Sequence, residues 1–111
     1  MQAIAEEPTP PELDGAAASF ARAYLDRGNT DAGARARLRA RSSAEFGAAL
    51  LRAPAPATGP ARIVRLSTAL LSRDPPRALL TGSARRGGEP EEFGFVFESR
   101  AGRWLAVGPA E

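Results

Sequence analysis

The stretch EEFGFVFESRAGRWLAV, residues 91–107, decides the fold of this chain. Its three phenylalanines recur with a period of two, which places them on one face of a β-strand. They are Phe93, Phe95 and Phe97. A short turn containing Gly102 follows, and the chain returns as a second apolar strand from Trp104 to Val107. The stretch therefore predicts an aromatic hairpin whose apolar face needs a covering layer.

Helices upstream of the hairpin can supply that layer. The spacing predicts a first helix from about Glu12 to Arg27, with Gly28 as a natural stop. One stripe of this helix is apolar and consists of Leu13, Ala17, Phe20 and Tyr24. Caps at residues 29–31 predict a second, short helix that ends near Ala40.

A third helix opens at Ser42-Ser43-Ala44-Glu45, which fits a capping box between the serine and the glutamate. Phe46 and Leu50 share one face of this helix, which ends before Pro54. The proline-rich segment 53–60 predicts a connector. Residues 1–11 predict an extended tail or linker, and residues 12–111 a single domain.

From residue 61 onward the period changes to that of strands. We expect strands at Arg62–Arg73 and Arg77–Arg86, separated by a turn at residues 74–76 because a proline pair cannot continue a central strand. In the first strand, Val64 shares its parity with Leu66 and Leu70, which predicts that all three face one way. Helices followed by four meandering strands predict an α+β fold, with the helices packed on a curved four-stranded antiparallel sheet.

Composition excludes several kinds of chemistry. The chain of 111 residues has no cysteine and no histidine, so disulfides, thiolate zinc sites, cysteine nucleophiles and the commonest general base are absent. We therefore predict no metal site, no cofactor and no catalytic residues. All fifteen basic residues are arginine, and the net charge of +2 is a weak signal for nucleic acid.

The sequence indicates no membrane span and no signal peptide. As written, the chain is expected to be cytoplasmic, or extracytoplasmic if Met1 follows an omitted membrane anchor. Contact with a membrane is expected only through such an anchor.

The order of elements resembles the nuclear-transport-factor-two-like superfamily, also called cystatin-like cones. More narrowly, it resembles the actinobacterial TcpC-like conjugation and type IV secretion assembly domains. The resemblance implies N-terminal helices packed into a curved sheet, and relatives that usually follow a transmembrane helix, which this sequence does not contain. The matching segments are 18–25, 42–46, 59–64, 95–97 and 102–105.

Enzymes of the cone type carry an acid or a histidine inside the cone, and two acids here come into question. Asp26 lies about 200° around the helix from Tyr24, so it faces water if Tyr24 faces inward. Glu98 has the opposite parity to the phenylalanines. We expect both acids to be solvated.

Aromatic residues offer a second kind of site. Tyr24 could donate a hydrogen bond to a ligand, and Phe95, Phe97 and Trp104 could line an apolar pocket. We favour a core role for all four, because the chain has only seven aromatic residues with which to build a core.

The densest charge run is Arg35, Arg37, Arg39 and Arg41. These side chains spread over more than half of a helix circumference, and a phosphate-binding surface for nucleic acid is one interpretation. No aromatic residue interleaves with them for base stacking, so we favour a solvated helix.

Three functions remain open. We favour a non-enzymatic protein-interaction module, a subunit of a conjugative transfer or secretion assembly. The alternatives are a small-molecule binder or cofactor-free enzyme of the cone type, and weak nucleic-acid binding through the arginine run. We also expect a homo-oligomer, a dimer or trimer, because strand 104–107 is weakly defended if it lies at an edge and because the resemblance implies association through the convex sheet face. The oligomer would bury the outward sides of Val96 and of Trp104 or Leu105, whichever faces out.

Overall fold

Three helices cover one face of a four-stranded antiparallel sheet. This is a computed structural model, and it describes residues 10–27, 32–53 and 60–110. The strands follow one another in chain order across the sheet, which confirms the predicted α+β fold. The elements are α1 (Pro11–Leu25), α2 (Ala32–Ala40), α3 (Ala44–Arg52), β1 (Ala61–Arg73), β2 (Pro76–Arg86), β3 (Glu89–Arg100) and β4 (Arg103–Pro109).

Helix α1 provides most of the helical half of the core. Pro11 stands at its first position, where the missing N–H is not needed, and acidic residues occupy its first turn. The predicted stripe is confirmed, with Leu13, Ala17 and Phe20 buried and Tyr24 half-buried. The helix starts one residue inside the predicted tail. The rest of that tail, the expected stop at residue 28, the caps at 29–31 and most of the connector lie outside the described residues.

The capping box predicted for α3 is wrong by one position. Ser43 is the N-cap, and its Oγ accepts the amide of Phe46 at 3.2 Å. Ser42 instead donates its hydroxyl to the carbonyl of Leu38 at 2.7 Å, in the last turn of α2. Glu45 is therefore one residue short of the position from which a capping glutamate reaches back.

A bulge in β1 overturns the predicted parity of that strand. Ile63 pairs with Ala84 and Arg65 with Ser83, so Val64 is an extra residue without a partner in β2. Ile63 therefore joins Leu66 and Leu70 against the core, while Val64 points outward and is 55% exposed. An inserted residue reverses the alternation of faces on one side of it.

The β3–β4 hairpin forms where the sequence predicts it. Arg100 pairs with Arg103 across a two-residue loop, and both loop residues, Ala101 and Gly102, have positive φ, as in a type I′ turn. Trp104 lies opposite Ser99 and packs against the core from the helical side. Leu105, the next residue of β4, therefore faces away from the helices.

Alternate residues of the sheet meet the helices. Ala78, Leu80, Phe95, Phe97 and Ala106 are buried against α1 in one cluster. The ring of Phe93 lies directly against Gly82 of the neighbouring strand. Any side chain at that position would collide with the ring, because a methyl group at Gly82 would lie 2.6 Å from it.

Candidate functional site

The predicted ligand-binding aromatics lie in and around a cluster of packed rings. The cluster consists of the five phenylalanines and Tyr24. The ring centroid of Phe20 lies 4.9 Å from that of Phe95 and 5.5 Å from that of Phe97, both edge to face. At such separations rings are in van der Waals contact. A ligand at this place would have to displace a ring, so the arrangement is that of a core.

Tyr24 and Trp104 lie at the margins of this core. The Tyr24 ring centroid is 4.8 Å from that of Phe95, and the guanidinium carbon of Arg27 lies 4.0 Å from the Tyr24 centroid on a cation–π contact. Arg27 also donates to the carbonyl of Tyr24 at 2.9 Å. Trp104 is half-buried and packs on the cluster without a ring partner among the described residues. The structure thus groups Tyr24, Phe95 and Phe97, and leaves Trp104 beside them.

Both candidate acids lie in ion pairs on the surface. Asp26 accepts from Arg22 at 2.8 Å at the end of α1. Glu98 lies on the sheet face turned away from the helices and accepts from Arg100 at 2.9 Å and from Arg77 at 3.1 Å. The hydrogen bond from Arg100, aided by that from Arg77, lowers the pKa of Glu98 below its ordinary value. A carboxyl group held in its ionised form in this way is a poor general acid.

The arginine run is split by the structure. Arg35, Arg37 and Arg39 lie exposed on α2, and Arg41 follows the helix in a turn. Only Arg35 and Arg39 face the groove between α2 and α3, since they are four residues apart on one helical face. Arg52, which the sequence pattern did not single out, joins them there from the end of α3.

This α2–α3 cleft has a volume of about 650 Å³. Its remaining lining comes from the α3 side and from the segment between the helices: Ser42, Ser43, Ala44, Gly47, Ala48 and Leu51. The chain packs closely against α3 at Gly47, where an added methyl group would lie 2.5 Å from the Oγ of Ser42 and 3.8 Å from the Cα of Arg39 in α2. The cleft therefore combines a basic rim with a wall of small and apolar side chains.

The sheet face opposite the helices carries an apolar row. Leu79 of β2 pairs with Val96 of β3, and Leu105 of β4 lies beside Glu98 on the same face. None of the helices in the described residues packs on this outer sheet face, which we define by Leu79, Val96 and Leu105. Each of the three side chains is half-buried by its neighbours in the sheet. Of the two residues predicted to face out from β4, it is Leu105 that does so.

The β4 edge, predicted to be weakly defended, is covered. The segment before α3 runs parallel to it, with the amide of Ser43 donating to the carbonyl of Ala106 at 2.8 Å. The amide of Ala106 in turn donates to the carbonyl of Arg41 at 2.9 Å, and Arg103 reaches the carbonyl of Ala40 at 3.0 Å. The prediction was wrong because the covering segment is irregular and has no periodic signature.

The other edge strand, β1, is protected by its side chains. In the part of the chain described, no backbone hydrogen bond reaches its outer side. Its exposed arginines, Arg62, Arg65 and Arg73, and the bulge at Val64 are devices that discourage pairing with another strand.

The described residues contain neither a cluster of metal ligands nor a membrane-spanning helix. They contain no group of three or more acidic, histidine or cysteine residues that could hold an ion. No helix within 10–27 or 32–53 is long and apolar enough to cross a membrane.

No protein-family model, curated protein or solved structure matches the chain.

Proposed function

We propose that this chain is a non-enzymatic protein-interaction module that works as a subunit of a larger assembly. The outer sheet face is the observation that carries the proposal. An antiparallel sheet with one solvated face normally alternates apolar and polar residues, whereas Leu79, Val96 and Leu105 keep apolar side chains on the side away from the helices. The resemblance to conjugation and secretion assembly domains suggests the kind of assembly.

The surroundings of this row support a binding role. The apolar row has polar neighbours at both ends. At one end Glu98 forms ion pairs with Arg77 and Arg100. At the other end Thr81 follows Leu79 on the same face of β2. An apolar centre with a polar rim is the usual composition of an interface between proteins. A second copy of the chain is the first occupant to test, because symmetric homo-oligomers are the default assembly of soluble proteins.

The contents of the core and the state of the acids support a role without catalysis. Between the helices and the sheet, where a cone enzyme would hold its substrate, Phe20 packs against both Phe95 and Phe97. Glu98 is tied to two arginines on the other side of the sheet.

Sedimentation equilibrium tests the proposal. We expect a dimer or trimer that Leu105→Glu converts to a folded monomer, with a lower thermal midpoint because the new carboxylate lies opposite Glu98. Leu105→Thr, which suits a strand equally well, should weaken association by a smaller factor. Val64→Glu is the matched control, since it places the same charge at an exposed apolar residue of β1. A chain that stays monomeric at high concentration, or that dissociates only with Val64→Glu, would remove the homo-oligomer from the proposal.

The cofactor-free enzyme is the competing function, and turnover assays separate the two. We expect no turnover of ester, epoxide or ketosteroid substrates, because the ionised Glu98 and the packed Tyr24 offer no acid–base pair in a cavity. Activity that disappears in a folded Tyr24→Phe or Glu98→Gln variant would favour the enzyme instead.

A further inference from the structure

We propose that the α2–α3 cleft binds a small organic ligand that carries a phosphate group. The proposal is independent of the outer sheet face, since the cleft belongs to the helical layer on the other side of the sheet. It rests on three features: convergent arginines, the missing counter-charge around them, and the shape and lining of the cleft.

Three arginines line the cleft from two helices. Arg35 and Arg39 come from successive turns of α2, and Arg52 comes from the last turn of α3. All three residues are exposed, and in the described chain none of their side chains makes a hydrogen bond or ion pair. Their N–H groups are therefore available to a ligand.

The charge around the cleft is unbalanced. Residues 32–53 contain five arginines and a single acid, Glu45, although the whole chain has a net charge of only +2. Like charges four residues apart, as in Arg35 and Arg39, destabilise a helix. A bound anion would relieve that repulsion.

Four arginines elsewhere in the fold have carboxylate partners, whereas Arg62 and Arg65 of β1 have none in the part of the chain that the structure describes. Arg22, Arg77, Arg86 and Arg100 each lie in an ion pair with a carboxylate. No acid lines the α2–α3 cleft among the described residues, so its arginines can be neutralised there only by an outside anion.

The chemistry of the rim selects phosphate. A guanidinium group presents paired N–H donors that match the oxygens of a phosphate, and several of them neutralise its double charge. Ser43 and Ala44 close one end of the cleft at the N-terminus of α3, where the helix dipole also favours an anion.

The size and the wall indicate a small organic molecule. The volume of about 650 Å³ falls within the range of roughly 300–1,000 Å³ for small-molecule pockets. Ala48 and Leu51 offer apolar surface to the carbon part of such a ligand.

The same geometry argues against a nucleic-acid strand. Arg37 lies on α2 outside the cleft, and Arg41 is outside it as well, so the four arginines of the run do not line one track. Aromatic side chains on which bases could stack are missing from the cleft lining.

Titration with pyrophosphate and with a phenyl phosphate, at constant ionic strength set with chloride, tests the proposal. We expect saturable binding of both by calorimetry, and a rise of the thermal midpoint with each ligand. Arg39→Gln and Arg52→Gln should weaken the affinity about tenfold, since each removes a charge-assisted contact. Without ligand both variants should melt within a few degrees of the parent, because neither side chain has a partner within the described chain to lose and each gives up only a favourable charge at a helix C-terminus.

Arg37→Gln is the matched control, with the same charge change on the same helix but outside the cleft. We expect its affinity to stay within about twofold of the parent. Stabilisation that never saturates, or that all three variants lose equally, would mean general screening of charge and would overturn the proposal. Tighter binding of a single-stranded oligonucleotide, weakened by Arg37→Gln as much as by Arg39→Gln, would overturn it in favour of nucleic acid.

Discussion

Arg86 binds the carbonyl of Leu25 at the end of α1, although 61 positions separate the two residues in the chain. The Nη2–O distance is 2.7 Å, and the Nε of the same side chain donates to Glu91 at 2.7 Å. Only 7% of the Arg86 side chain is exposed. One arginine thus satisfies a carbonyl that a helix end leaves without an intrahelical partner, and joins it to the β2–β3 hairpin.

Arg86→Met should test this connection, because it removes both hydrogen bonds and keeps much of the side-chain volume. We expect the free energy of unfolding to fall by about 1.5–3 kcal/mol, the usual effect of losing hydrogen bonds to charged groups. Urea denaturation measures it. Arg85→Met, next to it but exposed, should change stability by less than about 0.5 kcal/mol. Equal effects of the two substitutions would show that the Leu25 contact contributes nothing.

Phe97→Ala should be among the most damaging substitutions. The side chain is fully buried against Phe20, and truncation of a buried phenylalanine costs about 3–5 kcal/mol. Val64→Ala, at a residue that is 55% exposed, is the control and should cost well under 1 kcal/mol. A small loss for Phe97→Ala in the same urea experiment would contradict the described core.

Gly82→Ala should destabilise the sheet without altering its charge or hydrophobic pattern. The added methyl group would lie 2.6 Å from the Phe93 ring and 2.8 Å from the carbonyl of Arg65. Since the backbone atom cannot move away freely, we expect a loss of about 1–3 kcal/mol, as for overpacking. Combining the change with Phe93→Leu should restore part of the loss if the ring is the main obstacle. Thermal denaturation of both variants decides between ring and backbone.

Glu98 predicts a specific dependence of stability on pH. Arg100 and Arg77 hold its pKa in the folded chain below the ordinary value of 4.5, which is close to that of the unfolded chain. Its contribution is therefore fully present above pH 4.5 and is lost as the pH falls through the lower, folded-state pKa. The stability difference between the parent and Glu98→Gln should be constant near neutral pH and shrink in acid.

A double-mutant background provides the control for this experiment. When Arg77 and Arg100 are both replaced by glutamine, Glu98 loses the two partners that lower its pKa. In that background, Glu98→Gln should change the free energy of unfolding by the same amount in acid as at neutral pH. If the acid response of the parent and of Glu98→Gln is already identical, the two ion pairs do not stabilise the fold.

The features predicted from sequence are those with a strong local period or turn signal. The β3–β4 hairpin could be predicted from the alternating phenylalanines and the turn at residues 100–103. The buried face of α1 could be predicted from its apolar stripe. The expected parity of Val64 was wrong because one inserted residue shifts every face beyond it, and an insertion leaves no trace in a periodic pattern.

Other features depend on contacts between distant segments. The basic run was visible in the sequence, but Arg52 joins Arg35 and Arg39 only because two helices pack side by side. In the sequence, Arg86 looks like one residue of a basic turn. Its bond to the carbonyl of Leu25 depends on the folded structure, which places the end of α1 next to it. Ser42 fits a capping box locally, yet its Oγ binds Leu38 and its neighbour Ser43 binds the edge of β4.

The hydrogen bonds that join Ala106 of β4 to Ser43 and Arg41 have a consequence for growth of the sheet beyond one molecule. Because they occupy the β4 side, a further strand can be added in the described structure only at β1. If two copies ever joined β1 to β1, both extendable edges would be consumed, and the product would end at two molecules. A fold with a single growing edge cannot build an open-ended fibre by adding intact subunits.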